Sequence, residues 1–154
     1  MRLSGYEYSM TNDNLDDDAI HLTNNAIQKN CANYGVHEDG NQLSYDDCRQ
    51  WLEHTNRSAS DFDNFILPKM KYYAAISLVS ARTKFNRGKR KHCFELFGFD
   101  YILDSDLNVF LIECNTNPCI EESSNLLKRL LPRMLDDMFK LTIDQIYVSS
   151  KTSD

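Results

Sequence analysis

The sequence predicts an α+β fold in which an antiparallel β-hairpin packs with helices. Two segments, residues 92–103 and 109–115, alternate in side-chain character, and the turn-forming sequence Asp-Ser-Asp-Leu-Asn separates them. That combination is typical of a hairpin. Other segments carry apolar residues at helical spacing, which indicates helices that cover the sheet. With 154 residues, 42% of them hydrophobic, the chain suits one domain with a hydrophobic core.

The N-terminal segment predicts short elements. Residues 1–20 are polar and acidic, and we expect a short strand around residues 2 and 3, followed by a loop. The sequence His-Leu-Thr-Asn at residues 21–24 is rich in side chains that favour caps and turns. Its plainest interpretation is the N-terminal cap of a helix over residues 26–29.

The first longer helix is predicted over residues 44–54. Ser44 and Asp47 have the spacing of a capping box, with Asp in place of the usual Glu or Gln. We expect this helix to bury both Trp51 and Leu52.

A second helix is predicted over residues 62–83. Pro68 lies inside this range, so either the helix kinks there or the regular helix begins there with Pro68 at its first position. Met70 and Tyr73 follow helical spacing, which indicates a core helix. A further amphipathic helix closes the chain over residues 123–141. Its core-facing side chains are predicted to be Leu127, Leu130, Leu131, Met134, Leu135 and Met138.

Polar side chains converge on one face of the predicted hairpin. A turn centred between Asp106 and Leu107 places Asp100 opposite Glu113, with β-carbons about 5 Å apart. Asn115 is two residues further along and points to the same face. Two carboxylates this close repel each other. A divalent cation such as Mg²⁺, which binds one or two carboxylates together with phosphates and water, removes the conflict.

Two alternatives to a metal site remain open at this point. A slip of one residue in the pairing would move Asp100 to the opposite face. The carboxylates would also be tolerated on a solvated sheet face, although the aromatic and aliphatic neighbours make a poor solvent face. The metal site is therefore a hypothesis that depends on the register of the hairpin.

The charge distribution excludes one class of function and singles out one segment. The net charge of −6 argues against a general nucleic-acid binder. Residues 82–91, the basic segment, depart from this balance. Their cationic side chains are Arg82, Lys84, Arg87, Lys89, Arg90 and Lys91. This segment either holds an acidic partner or is a solvated loop beside a helix end.

The cysteines indicate a reducing compartment. Their number is odd, no two have C-x-x-C spacing, and no secretory signal is present, so we expect free thiols and no zinc site. No apolar run approaches the roughly 20 residues of a membrane span, and we expect a soluble, intracellular protein. The chain opens directly in structured-looking sequence, which suggests part of something larger. The cysteines are Cys31, Cys48, Cys93, Cys114 and Cys119.

Two stretches together resemble the tubulin–tyrosine ligase-like family. They are the sequence HLTN and, further along, FELFGFDYILDSDLNVFLIECNTNP. The resemblance covers nearly the whole chain. It implies that residues 1–150 are the C-terminal catalytic lobe of an ATP-grasp domain, with residues 151–154 as a tail. The implied fold is the C-terminal portion of an ATP-grasp fold.

The resemblance also implies roles for individual residues. Asp100, Glu113 and Asn115 match the positions that coordinate Mg²⁺ at the β- and γ-phosphates of ATP. Arg2 matches an arginine directed toward phosphate or the acyl-phosphate intermediate, a catalytic role. Ile112 matches an apolar position that packs near the adenine. The stretch that lines the nucleotide site is matched by His21, Leu22, Thr23 and Asn24.

The implied activity is ATP-dependent ligation of a free amino acid to tubulin, as tyrosination, glutamylation or glycylation, through an acyl phosphate. The implied cofactors are ATP and Mg²⁺. The implied partners are tubulin or microtubules, without nucleic acid or membrane, and the implied location is the cytoplasm, at the cytoskeleton or cilium. The substrate amino acid is not readable from these residues.

The chain also departs from the family pattern. The family's glycine-containing phosphate loop, nucleotide-binding lysines and hinge precede the Arg-x-Ser stretch, and this sequence does not contain them. A truncated, catalytically incompetent remnant that binds tubulin or nucleotide is therefore an alternative. An unrelated ATP-grasp ligase acting on a small metabolite is a third.

Overall fold

The structure is a computed structural model that describes residues 1–147, apart from the side chain of Asn12. The predicted boundary at residue 150 and the predicted tail, 151–154, lie outside the described residues. The longer helical elements and the strands are Asp18–His21 (α1), Asn25–Gln28 (α2), Tyr45–His54 (α3), Leu67–Ala81 (α4), Gly98–Leu103 (β1), Val109–Asn115 (β2) and Asn125–Leu141 (α5). Helices combined with an antiparallel sheet confirm the predicted α+β class. None of the helices in residues 1–147 has the length and apolar character that crossing a bilayer requires.

The chain divides into two compact units. The first contains Met1–Asp47 and the described residues from Ile120 onward, and the second is Cys48–Cys119. The hairpin and α4 belong to the second unit. The segments that contain Arg2 and residues 21–24 belong to the first.

The core of the second unit lies between α4 and one face of the hairpin. Leu52, Ile66 and Val109 are buried together there. Tyr101 packs against this cluster, and its hydroxyl donates a hydrogen bond to the Met70 carbonyl at 2.7 Å. Burial raises the pKa of the Tyr101 phenol. The hairpin therefore has one face committed to packing.

Helix α3 begins with the predicted capping box. The Ser44 backbone N–H donates to the Asp47 carboxylate at 2.9 Å, and the Asp47 N–H donates to the Ser44 hydroxyl at 3.2 Å. The side-chain hydrogen bond with Ser44 holds the pKa of Asp47 below its ordinary value. The expected burial of Leu52 is confirmed, since it is 1% exposed. The expected burial of Trp51 is wrong, because it lies about 100° round the helix from Leu52 and is 44% exposed.

The predicted helix over residues 62–83 consists of three parts. Phe62–Ile66 is π-helical, α4 is a regular α-helix, and Arg82–Lys84 is a 3₁₀ turn. The regular helix begins near Pro68, as the second interpretation predicts, but at Leu67, so Pro68 is its second residue rather than its first. Proline is tolerated in the first turn of an α-helix because its fixed φ suits the helix.

The predicted strand over residues 92–103 is shorter than expected. It begins at Gly98, because β2 ends at Asn115, the residue opposite Gly98. Residues 92–97 therefore have no partner strand with which to form a ladder. The second strand has the predicted bounds, Val109–Asn115. The predicted strand around residues 2 and 3 is an isolated bridge between Arg2 and Gln42.

Helix α5 in the first unit is capped by Ser124, whose hydroxyl accepts a hydrogen bond from the Leu127 N–H at 3.2 Å. Leu131 is its buried apolar residue. The expectation for Leu130 is wrong, since this side chain is 50% exposed on the adjoining side of the helix. The remaining predicted positions are half-buried: Leu127, Met134, Leu135 and Met138.

Candidate functional site

The register of the hairpin brings the predicted metal ligands onto one face. Asp100 pairs with Glu113, and Gly98 pairs with Asn115. The predicted pairing of Asp100 with Glu113 is therefore confirmed, and the alternative of a one-residue slip does not apply to this part of the hairpin. Side chains at Asp100, Glu113 and Asn115 share a face because each strand alternates with a period of two.

The route to this register differs from the prediction. Leu103 pairs with Val109, so the turn is centred on Asp106 rather than between Asp106 and Leu107. Tyr101 pairs with Leu111, which leaves Ile112 as an extra residue, a β-bulge. The actual turn alone would pair Asp100 with Ile112. The extra residue in β2 shifts the pairing by one, so that Asp100 faces Glu113.

The turn itself is held by Asp104. Its Oδ1 accepts hydrogen bonds from the backbone N–H groups of Asp106 and Asn108, at 2.9 and 2.8 Å. Its Oδ2 accepts a hydrogen bond from the side-chain amide of Asn108 at 2.9 Å. These bonds lower the pKa of Asp104, and the bond from the Asn108 side chain has the largest effect. Leu107 completes the turn with a φ of 63°. The turn is thus set by local contacts that are independent of the site.

The Asn115 amide joins the two carboxylates. Its nitrogen donates to Asp100 Oδ2 at 3.3 Å and to Glu113 Oε1 at 3.0 Å. Asp100 and Glu113 are exposed, and Asn115 is half-buried. A single pair of N–H donors therefore sits between two negative groups and offsets part of their repulsion.

The surface around the carboxylates is apolar as well as exposed. Ile102 and Phe110 pair across the strands on the same face as Asp100 and are 56% and 52% exposed. Ile112 at the bulge is 62% exposed. The face thus carries two exposed acidic groups among exposed apolar side chains, as the alternative of a solvated sheet face predicts.

The donor set fits a hard divalent cation. Carboxylate and amide oxygens are the ligand types that Mg²⁺ prefers, and Mg²⁺ usually takes only one or two carboxylates from the protein. Within residues 1–147, no group of three or more His, Cys, Asp or Glu side chains is placed to hold a metal ion, so the candidate site rests on two carboxylates and the Asn115 amide. For Asn115 to contribute an oxygen, its amide would have to turn about the Cβ–Cγ bond, since its nitrogen faces the carboxylates.

Arg2 lies on the short bridge of the first unit. Its backbone pairs with Gln42, the Leu3 N–H donates to the Asn41 carbonyl at 2.9 Å, and the Leu43 N–H donates to the Met1 carbonyl at 2.9 Å. The Arg2 side chain is exposed. A forked guanidinium on a backbone held at both ends is suited to binding phosphate.

Residues 21–24 form the connection between α1 and α2 in the same unit. His21 ends α1, and its Nε2 is 2.8 Å from the Asn14 carbonyl. Asn24 is the N-terminal cap residue of α2, but its side chain makes no capping hydrogen bond. Leu22, Thr23 and Asn24 are exposed. The helix that follows is Asn25–Gln28 rather than 26–29, so the prediction of a cap followed by a short helix holds with a shift of one residue.

Sequence reasoning missed Gln28, a residue of the same unit. It is 1% exposed, and its side chain contacts both segments that contain predicted nucleotide-site residues. Its oxygen accepts from the Gly5 N–H, three residues after Arg2, and its nitrogen donates to the Leu22 carbonyl. A glutamine at the end of a short polar helix has no distinguishing sequence pattern, and only its burial reveals it.

The basic segment is an exposed loop of the second unit. After the Arg82–Lys84 turn, the Asn86 amide donates to the Arg90 carbonyl at 2.7 Å, and the Arg90 N–H donates to Asn86 Oδ1 at 2.8 Å. Asn86 and Lys89 have positive φ values. The turn is therefore held by Asn86, and the cationic side chains are left in solvent.

Comparison with known proteins assigns the chain to a family. The model of the tubulin-tyrosine ligase family matches residues 1–153. Tubulin glycylase 3B of Tetrahymena thermophila is 32% identical over 144 residues, 94% of this chain and 12% of the relative. Probable alpha-tubulin polyglutamylase Ttll1 of the same organism is 27% identical, over 92% of this chain and 33% of the relative.

A mammalian relative gives the same result. Probable tubulin polyglutamylase TTLL9 of Mus musculus is 30% identical over 133 residues, 82% of this chain and 26% of the relative. The chain thus spans a third or less of the length of these three relatives. The family match covers nearly all of the sequence, including both the hairpin and the segments of the first unit. This chain belongs to the tubulin-tyrosine ligase family.

Proposed function

We propose that this chain forms part of the active site of an ATP-grasp ligase that joins an amino acid to tubulin. The observation that carries the proposal is the convergence of Asp100, Glu113 and Asn115 on an exposed hairpin face. Acidic groups collected on a face with apolar neighbours match what a magnesium–nucleotide complex needs. Family membership supports the same chemistry.

In this proposal the hairpin holds the metal and the base. Asp100 and Glu113 bind Mg²⁺ through carboxylate oxygens, and Asn115 turns its amide to present Oδ1. When bound, Mg²⁺ neutralises charge on the phosphate oxygens of ATP. Ile112, exposed at the bulge, provides apolar surface for the adenine.

The roles proposed for residues of the first unit rest on family membership. Residues 21–24 offer neutral hydrogen-bonding groups to the nucleotide, through His21, Thr23 and Asn24. Arg2 directs its guanidinium toward phosphate or the acyl phosphate, where it stabilises negative charge.

The proposed reaction has two steps. The γ-phosphoryl group of ATP moves to a carboxylate of the acceptor and forms an acyl phosphate, with ADP released. The amine of the second amino acid then attacks the acyl carbon, and inorganic phosphate leaves as the peptide or isopeptide bond forms. No covalent bond to the protein is needed, so the cysteines take no part.

Tubulin is the proposed acceptor because the relatives are tubulin glycylases and polyglutamylases. Their activities differ, so the proposal leaves the ligated amino acid as tyrosine, glutamate or glycine. Microtubules of the cytoskeleton or cilium are the corresponding location. The alternative function is a remnant that binds tubulin or nucleotide without catalysis.

We expect residues 1–154 alone to be a poor or inactive ligase. The glycine-containing loop and the lysines that bind the nucleotide in this family are not part of the sequence, so ATP would be held from one side only. The measurement is transfer of radiolabelled tyrosine, glutamate and glycine to tubulin by the purified chain, with and without Mg-ATP. Robust ATP-dependent transfer would show that the chain is a complete enzyme and would exclude the remnant.

The basic segment is predicted to help hold the acidic tail of tubulin. Reversing Arg87, Lys89 and Arg90 to Glu in an active form of the protein should weaken tubulin binding about tenfold or more at low salt, and less at high salt. The Asn86 bonds to the Arg90 backbone should preserve the loop. The measurement is co-sedimentation with microtubules at two salt concentrations.

The matched control for this test reverses three exposed cations of the first unit, Lys29, Lys128 and Arg133. It changes the net charge by the same amount and leaves the basic segment intact. Equal loss of binding in both variants would mean that total charge alone acts. Unchanged tubulin binding in the variant reversed at Arg87, Lys89 and Arg90 would leave only the solvated-loop interpretation.

A further inference from the structure

We propose that Gln28 is a positioning residue that holds the Arg2 segment and residues 21–24 together, so that both face the nucleotide. This inference rests on the proposed function, because it assigns how two of its binding segments are placed. The observation that carries it is geometric, and it does not depend on the hairpin face that carries Asp100 and Glu113. A single buried side chain contacts both segments, and all of the contacts lie inside the first unit.

The amide nitrogen of Gln28 fixes the segment before α2. It donates to the Ala19 carbonyl at 2.8 Å and to the Leu22 carbonyl at 2.6 Å. The backbone N–H of Gln28 also donates to the Asn24 carbonyl at 2.9 Å. The segment is therefore tied to Gln28 at Leu22 and at Asn24, which leaves Thr23 exposed between two fixed carbonyls.

The amide oxygen of Gln28 fixes the Arg2 segment. It accepts from the Gly5 N–H at 3.0 Å and from the Asn41 side-chain amide at 3.2 Å. The backbone carbonyl of Asn41 in turn accepts a hydrogen bond from the Leu3 N–H at 2.9 Å. The segment that carries Arg2 is thus connected to Gln28 directly through Gly5 and indirectly through Asn41.

Glutamine matches this position because of its hydrogen-bonding capacity. It has two N–H donors and an oxygen with two acceptor sites, and the structure uses all four. Glu would place an ionised oxygen against two carbonyls, and Met would leave the buried groups around it unpaired, which is unfavourable. A fully satisfied buried network of this kind defines one arrangement of the segments that it joins.

Two further contacts tighten the same junction. The Ser4 hydroxyl donates to the Ala19 carbonyl at 2.7 Å, the same carbonyl that Gln28 binds. Gly5 lies close to Asn33, whose side-chain amide donates to the Gly5 carbonyl at 3.2 Å. A Cβ added at Gly5 would lie 3.0 Å from the Asn33 Cβ and 3.1 Å from its carbonyl oxygen. A side chain at residue 5 would require Asn33 to shift by a few tenths of an ångström, so glycine suits the close approach that brings the Gly5 N–H to Gln28.

The test is Gln28→Met, which keeps the length of the side chain and removes its hydrogen bonds. Amide hydrogen exchange measured by NMR should rise about tenfold or more at Leu3, Leu22 and Leu43. None of these amides is bonded to the Gln28 side chain, so faster exchange there reports loosening of the two segments. The Lys128 amide, bonded to Ser124 in the first unit, should keep its rate.

Leu131→Ala is the control, because it removes buried volume from α5 without touching the network. It should raise exchange across the first unit without singling out Leu3 or Leu22. If Gln28→Met does not fold, Ser4→Ala removes the neighbouring bond and should raise exchange at the same amides to a smaller extent. Unchanged exchange at Leu3 and Leu22, or a rise equal to that at Lys128, would overturn the proposal.

Binding of Mg-ATP to the same variants separates this inference from the proposed function. Calorimetry should give weaker ATP binding for Gln28→Met than for Leu131→Ala at equal folded fraction. If the unsubstituted chain, joined to the phosphate loop and lysines that complete the nucleotide site in this family, does not bind ATP while the exchange result holds, the nucleotide function fails and the junction stands. If ATP binding is equally strong in all three proteins, the nucleotide-facing role of Gln28 is wrong.

Discussion

Glu113→Gln should abolish most ligase activity in an active form of the protein, with a loss on the order of 100-fold or more. The substitution keeps the size of the side chain and the strand but removes a charge that we assign to Mg²⁺. The folded state should be retained, because Glu113 is exposed and loss of its repulsion with Asp100 is favourable. The measurements are activity across a range of Mg²⁺ concentrations and thermal melts without metal.

Asp106→Asn is the matched control for this experiment. Asp106 is an exposed carboxylate in the turn of the same hairpin, and it lies outside the proposed metal face. This variant should retain activity. A normally active Glu113→Gln enzyme would remove the metal assignment. Strong destabilisation of several kcal/mol would instead identify Glu113 as part of a structural ion pair.

Leu52→Ala should lower the free energy of unfolding by about 2–5 kcal/mol. Leu52 is 1% exposed and packs with Ile66 and Val109, so truncation leaves a cavity in the core of the second unit. The measurement is urea denaturation followed by circular dichroism. The neighbouring variant Trp51→Ala removes a larger side chain that is 44% exposed and should cost clearly less.

The comparison of the two variants tests the burial pattern of α3 directly. Cys48 and Leu52 are both buried and are four residues apart, which places them on one face of the helix. Equal losses for Leu52→Ala and Trp51→Ala would mean that this face is wrongly assigned.

Local features were predictable from the sequence. The capping box of Ser44 and Asp47 and the turn of residues 104–108 depend on groups within four residues of each other, so their chemistry is readable without the rest of the fold. The bounds of β2 and the start of the regular helix near Pro68 follow from the same kind of short-range rule. Family membership was also evident from the motifs of residues 21–24 and of the hairpin.

The pairing of Asp100 with Glu113 was predicted correctly from an incomplete geometry. The pairing of Asp100 with Glu113 assumed a symmetric turn between Asp106 and Leu107. The actual turn is centred on Asp106, and the bulge at Ile112 restores the pairing. A bulge has no fixed sequence signature, because it depends on how the strands twist against their neighbours.

The sequence by itself determined the family, the α+β class, the caps and turns, and the identity of the polar residues on the hairpin. Tertiary structure decided which face of each element is buried, as Trp51 and Leu130 show, and where β1 begins, since a strand extends only as far as its partner. It also decided that Asp100 and Glu113 are exposed and joined by Asn115, and that Gln28 links two segments distant in sequence. The physical reason is the range of the interactions: caps and turns are closed by near neighbours along the chain, whereas burial and bulges depend on surfaces that meet only after folding.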